Sequence, residues 1–218
     1  MAWDFGDGSP GVTGTLTPNH IFSNHGVYTV TLTVTDSHGA SASDALIVTV
    51  LSASGLIKEN VQNLTPFAGE SKQLADVVKI LTAILGSSAW TDETHLAASA
   101  GDKVFQDVQK AALELEKLLK DEAKKDSLST AAEKAIGQAV ADIAAIAQVV
   151  AETLYLENQH LQANDPQKQK FVDGSLADAA KELNAGIASL NAGDYTGAIQ
   201  SFQRAWNSTQ SALKSPGK

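Results

Sequence analysis

Two different periodicities divide the chain. Between Tyr28 and Thr35 apolar and hydroxylated residues alternate without an error, Tyr28, Val30, Leu32 and Val34 against Thr29, Thr31, Thr33 and Thr35. A period of two puts each set on its own side of an extended chain, so this segment predicts a half-buried β-strand. Asp36-Ser37-His38-Gly39 ends it, and Leu46, Val48 and Val50 predict a second strand, antiparallel to the first. Upstream, Gly6-Asp7-Gly8-Ser9-Pro10-Gly11 is turn chemistry: glycines tolerate positive φ, and an aspartate carboxylate can accept nearby amides.

From Leu56 onward the period is 3.6. Leu74, Val77, Leu81 and Leu85 line one helix closed by Gly86; Val104, Val108, Ala111, Leu115 and Leu118 line another. The second carries Glu116–Lys120 and Asp121–Lys125 pairs at the favourable i,i+4 spacing. Thr130-x-x-Glu133 is a capping-box pattern, and the helix it opens runs through Ile136, Val140, Ile143, Ala147, Val150 and Leu154. Asn164-Asp165-Pro166 supplies an N-cap followed by proline at the first helical position. Asn191-Ala192-Gly193-Asp194 is a turn short enough to make the last two helices antiparallel neighbours. The pattern predicts about five helices in an antiparallel α-helical bundle.

Composition sharpens the division. Residues 1–50 contain no Lys or Arg and four acids, Asp4, Asp7, Asp36 and Asp44; all 16 bases and the other 21 of 25 acids follow. The small residues Ser52-Ala53-Ser54-Gly55 read as a linker, giving a β domain over 1–51 and a helical domain over 56–218. The net charge of −9 and the single arginine, Arg204, give no basic face for nucleic acid. With no cysteine, disulfide scaffolds, thiolate metal sites and thiol catalysis are excluded. No run reaches the ~20 consecutive apolar residues of a membrane span. The most apolar stretch, 139–154, is broken by Asp142, Gln148 and Glu152 at helical spacing. The first residues lack the basic and apolar regions of a signal peptide.

Three separated motifs carry a resemblance. Trp3-Asp4-Phe5-Gly6-Asp7-Gly8, Pro18-x-His20-x-Phe22 and Gly26-x-Tyr28-Thr29-Val30-Thr31-Leu32-Thr33-Val34-Thr35-Asp36 stand in the order and at about the spacing of a PKD (polycystic kidney disease) domain, which residues 1–50 resemble. The resemblance implies a seven-stranded immunoglobulin-like sandwich, with Trp3 as the buried tryptophan of a central strand and Tyr28 at a strand corner. Members of that family usually place two strands ahead of the Trp-Asp-Phe-Gly-Asp-Gly segment. A partial β-sandwich is therefore expected here, the chain being a fragment of a longer protein or its sheet being completed by a partner strand. The fold class expected is multidomain β + α.

Candidate chemistry is sparse. Asp4-Phe5-Gly6 spells a kinase metal-binding tripeptide, but the lysine strand, catalytic loop and glycine-rich clamp of a kinase are absent. Glycines 6–14 lack the Gly-Lys-Ser/Thr ending of a phosphate loop. Asp4, Asp7 and Asp36 are calcium candidates, since some PKD members bind calcium, with turn stabilisation as the preferred reading. His20 matches a family histidine and implies a structural hydrogen bond; His25 and His38 fall at turns, and the three together do not predict zinc. Glu157-x-x-His160 has di-iron spacing without the second copy such a site needs. Gly186, Gly193, Tyr195, Ala198, Phe202 and Ala205 match one tetratricopeptide repeat, whereas such arrays need about three. Trp90, Tyr195, Phe202 and Trp206 are the binding candidates, with core packing as the alternative.

No nucleophile elbow or supported Ser-His-Asp set appears, so an enzyme is not expected. The resemblance implies a non-catalytic, secreted or cell-surface module of a prokaryotic protein that contacts extracellular protein or polysaccharide and spaces other domains. The alternative is the accessory C-terminal tail of a secreted hydrolase, a protease or polysaccharide-degrading enzyme. No cofactor beyond calcium is implied, and neither nucleic acid nor membrane is an expected partner.

Overall fold

A computed structural model describes residues 1–22, 26–125 and 127–214, with residues 122–125 described by backbone alone. The chain divides into two compact units, Met1–Ser52 and Ala53–Lys218.

In the first unit β1 (Ala2–Asp4), β2 (Val12–Thr13), β3 (Gly26–Thr35) and β4 (Ser41–Val50) form one antiparallel sheet in the order β2-β1-β3-β4. The strand predicted over Tyr28–Thr35 forms within the ten residues of β3, but its apolar side is covered unevenly: Val30 is buried, Leu32 half-buried and Val34 48% exposed. β4 is longer than its apolar positions suggest: Ser41–Asp44 carries no large apolar side chain, yet pairs residue for residue with β3, Thr35↔Ser41 through Gly26↔Val50. The tight turn explains the extension. Asp36 Oδ1 accepts the amides of His38 at 2.8 Å and Ala40 at 2.9 Å, and Gly39 takes φ +86°. Register is thereby set at the turn and propagates down both strands.

Cross-strand partners share a face, so the register sorts the sheet's two sides. Val12, Trp3 and Leu32 line up on one side, with the Val30–Leu46 and Tyr28–Val48 pairs beside them. Val30 is buried, but Leu46 is 52% exposed, and Trp3 is only half-buried, short of the buried role expected of it; Tyr28 is half-buried near the start of β3. Trp3 Nε1 donates to the Thr15 carbonyl at 3.0 Å, which anchors the segment after β2 to β1. Phe5 is buried at the end of this side, stacked on His20 with ring centroids 3.8 Å apart, while Phe22 stacks on Tyr28 at 4.5 Å. Gly6 passes so close to β3 that a Cβ would lie 2.5 Å from the Thr29 carbonyl oxygen, at φ +71°. A side chain there would meet both a clash and a left-handed backbone.

The second unit contains α1 (Ala53–Leu64), a 3-10 turn (Thr65–Phe67), α2 (Lys72–Leu85), α3 (Gly101–Lys125), α4 (Thr130–Asn158), α5 (Pro166–Asn191) and α6 (Tyr195–Leu213). Of the residues expected to form a linker, Ala53, Ser54 and Gly55 instead open α1. Ala53 is fully buried in the helical core and the Ser54 amide donates to the Glu93 carbonyl at 3.0 Å. In α2 the buried stripe ends on Ile84 rather than Leu85, which is half-buried. All five positions anticipated on α3 are buried. Glu116 accepts from Thr196 Oγ1 at 3.4 Å rather than pairing with Lys120, and the side chain of Lys125 lies outside the described residues.

The cap of α4 sits one residue earlier than the capping-box pattern indicates. Ser129 is the N-cap, its hydroxyl accepting the Ala132 amide at 3.2 Å. Glu70 fixes that serine from the loop before α2, accepting its amide at 2.8 Å and its hydroxyl at 2.9 Å. Ser129→Ala is therefore expected to destabilise the helical unit by about 0.5–2 kcal/mol, read from urea unfolding followed by circular dichroism. No loss would mean that the Ser129 hydroxyl contributes nothing to the cap.

By length and composition alone α4 would suffice to cross a membrane, and 44% of its apolar window is buried inside the fold. It packs against α1, α3, α5 and α6, and its residues Ile136, Val140, Ile143, Ala147 and Val150 belong to the shared core. Asp165 caps α5 as anticipated, accepting from the Gln167 and Lys168 amides, with Pro166 at the first turn. At 192–194 the chain doubles back, and Gly186 meets Phe202 while Glu182 meets Arg204 Nε at 2.8 Å, so α5 and α6 run antiparallel.

Candidate functional site

Each calcium candidate serves its own turn. Asp4 Oδ1 accepts the Gly6 amide at 2.9 Å, and Asp36 holds the β3–β4 turn. Asp7 Oδ1 accepts the Ser9 amide at 3.0 Å and hydroxyl at 2.6 Å, while Oδ2 lies 2.7 Å from His20 Nε2. The three carboxylates do not converge, and among the described residues no three acidic or histidine side chains are grouped to hold a metal. His38 lies in the turn it was assigned to, and His25 lies outside the described residues.

The Asp7 cluster has a measurable electrostatic signature. The Ser9 hydroxyl, then the Ser9 amide, then His20 stabilise the ionised carboxyl and lower its pKa to about 2, against 3.8 ordinarily. A depressed pKa contributes stability above the unfolded value, lost as pH falls through 3.8 toward about 2. Ser9→Ala removes the strongest donor and should move the Asp7 carboxyl titration upward in a carbon-detected NMR experiment. An unmoved titration would assign the depression to another group.

Burial removes Phe202 and Trp206 from the surface. Phe202 is fully buried over Gly186, where a Cβ would lie 2.4 Å from the ring, and Trp206 is 2% exposed over Gly101. Tyr195 is half-buried against the same core. The repeat-like spacing is thus satisfied inside the unit, where α5 and α6 pack together and α6 lies on α3 and α4. Trp90 is half-buried, its Nε1 donating to the Ile84 carbonyl at 2.8 Å.

One cluster escaped the sequence reading. His95, between α2 and α3, holds Asp92 through Nδ1 at 2.8 Å and Glu157 through Nε2 at 2.8 Å. Glu157 is 62 residues away in sequence, so no local motif announces the pairing. The Glu157-x-x-His160 spacing therefore draws its glutamate into a contact with a different histidine.

The hydroxylated side of the sheet is open to solvent. Register places Thr29, Thr31, Thr33 and Thr35 beside Ile47, Ala45, Ser43 and Ser41, continuing through Thr49 opposite Val27. Thr33 Oγ1 and Ser43 Oγ share a hydrogen bond of 2.8 Å; Val27 is 69% and Ile47 64% exposed. The face is one of hydroxyls and β-branched carbons, with Asp4 as its charged member.

The antiparallel sheet and its aspartate turns describe a small β module. Residues 1–50 match the family model of the PKD domain. Such domains are non-catalytic, occur mainly in extracellular or cell-surface proteins and generally serve as binding or spacer modules. No curated protein and no solved structure matches the chain.

Proposed function

We propose that the chain is a non-catalytic module of a secreted or cell-surface protein, with a partial β-sandwich that makes contact and an antiparallel helical bundle that spaces or docks neighbouring parts. The observation that carries this reading is the hydroxyl-bearing face of β3 and β4, exposed on a unit that matches the PKD family. Side-chain hydroxyls both donate and accept, so such a face suits an extended polar partner: a polysaccharide chain or the surface of an extracellular protein. The near absence of charge across it favours neutral ligands and gives binding little dependence on salt.

The test is co-sedimentation of the full chain with insoluble collagen, chitin and cellulose, beside retention on intact cells. Sedimentation with a polymer supports contact and favours the accessory tail of a hydrolase; cell retention without polymer binding favours an adhesive or spacing part. Retention by none of them contradicts the contact function.

A further inference from the structure

We propose that the loop joining α2 to α3 is a proton-operated latch: the His95 imidazolium ties the loop tip to the last turns of α4, and loss of its proton releases the tip.

The geometry sets the protonation state. Asp92 Oδ2 and Oδ1 lie 2.8 and 3.0 Å from Nδ1, and Glu157 Oε2 lies 2.8 Å from Nε2. An ionised carboxylate only accepts hydrogen bonds, and a neutral imidazole has a single N–H. Both contacts are therefore satisfied together only when both ring nitrogens carry protons. On deprotonation one carboxylate faces a nitrogen lone pair. Asp92 is also held by the amides of Thr94 and His95, both at 2.8 Å, so it stays with the loop. Glu157 has no such second anchor among the described hydrogen bonds, and the bond between loop and helix is the one that breaks.

Burial alone would lower the His95 pKa, but the bonds to Glu157 and Asp92 outweigh it and raise it above 6.5. For Asp92 burial opposes ionisation, and the two backbone amides with His95 lower its pKa overall. These two carboxylates are the charged groups acting on the imidazole. From α1 the tip meets the uncharged Ser54 amide, bound by the Glu93 carbonyl. A raised histidine pKa means that the latch is fully present below pH 6.5 and is lost as pH rises through the folded value.

One group favours opening once the bond is lost, and the contacts at the base of the loop limit how far it goes. The Thr94 hydroxyl is buried without a hydrogen-bond partner among the described atoms, so opening restores its solvation. The base of the loop stays closed through the Trp90–Leu96 bridge and the bond from the Ala97 amide to the Ala89 carbonyl. Motion is thus confined to the tip, residues 92–94, because the Thr91 amide and hydroxyl bind the His95 carbonyl at 2.9 and 3.2 Å.

The test is hydrogen exchange of the full chain between about pH 5 and pH 8, the interval in which histidine changes charge, with site-resolved NMR of the His95 ring. Each unit by which the folded pKa exceeds the unfolded one corresponds to an about tenfold weaker latch at the alkaline end. The expected result is a His95 titration midpoint above 6.5, with faster intrinsic-rate-corrected exchange at residues 92–94 when the proton is lost. Glu157→Gln, at an exposed helix end, should keep the helical circular dichroism and lose most of that pH dependence. A midpoint at or below 6.5, or an unchanged pH dependence in Glu157→Gln, overturns the proposal.

Discussion

Phe202→Ala should destabilise the helical unit by about 3–5 kcal/mol, lowering its thermal midpoint by roughly 6–20 °C. The ring is fully buried, flanked on its own helix by buried Ala198, Ile199 and Ala205, and it lies over Gly186 where α5 passes. Truncation leaves a cavity that two long helices cannot close without losing their own contacts. Gly186→Ala approaches the same contact from the other side. Its Cβ would come 2.4 Å from the ring, an overpacking expected to cost about 1–3 kcal/mol. Because the two positions touch, Gly186→Ala should cost less when Phe202 is already leucine. Thermal melts at 222 nm measure Phe202→Ala, Gly186→Ala, Phe202→Leu and the Phe202→Leu, Gly186→Ala double variant. A Phe202→Ala variant that melts with the wild type would place the ring outside the core.

Trp206→Ala should cost a similar 3–5 kcal/mol by joining a different pair of helices. Its indole is 2% exposed, lies 5.9 Å from the Phe105 ring centre, and covers Gly101 at the start of α3, where a Cβ would sit 2.3 Å away. Around it Asp102 accepts from Gln203 and Asn207 at 2.9 Å each, so α6 is both packed and hydrogen-bonded onto the first turn of α3. Trp206→Phe, which keeps an aromatic ring in the space, should recover a substantial part of the loss. Guanidinium unfolding followed by circular dichroism resolves the difference. A shift within about 0.5 kcal/mol of wild type would place Trp206 outside the core.

These two aromatic positions show what a single sequence makes legible. The spacing Gly186, Gly193, Tyr195, Ala198, Phe202, Ala205 revealed a helix hairpin because close packing needs small residues opposite aromatic ones. It did not reveal whether the aromatic rings face a core or a groove, since that depends on α3 and α4, remote in sequence. The same limit hid His95, whose partners lie on its own loop and at the end of α4. β3 was readable because its alternation is local, whereas the first half of β4 was not: Ser41-Ala42-Ser43-Asp44 becomes a strand through its register with β3. The α1 start was missed for a related reason. Ser52-Ala53-Ser54-Gly55 has linker composition, but the burial of Ala53 and the bond from Ser54 to Glu93 draw it into the helical core. At Ser129 the neighbouring Thr130 offered an equally good cap, and Glu70, 59 residues away, binds the serine. Local patterns therefore disclosed element types, and long-range contacts decided their ends.

The measurement that bears most directly on the contact function is retention of the full chain, as wild type and as the double variant Thr35→Glu, Ile47→Glu, on the collagen, chitin and cellulose panel and on intact cells. Both substitutions lie on the hydroxylated side, and Ile47 is 64% exposed, so the fold should tolerate them while two charges disrupt a neutral contact face. The account predicts that the wild type is retained and that the variant, with its melting unchanged, loses at least about tenfold in affinity, or ~1.4 kcal/mol. Equal retention of the two proteins would contradict it and move the contact surface elsewhere on the chain.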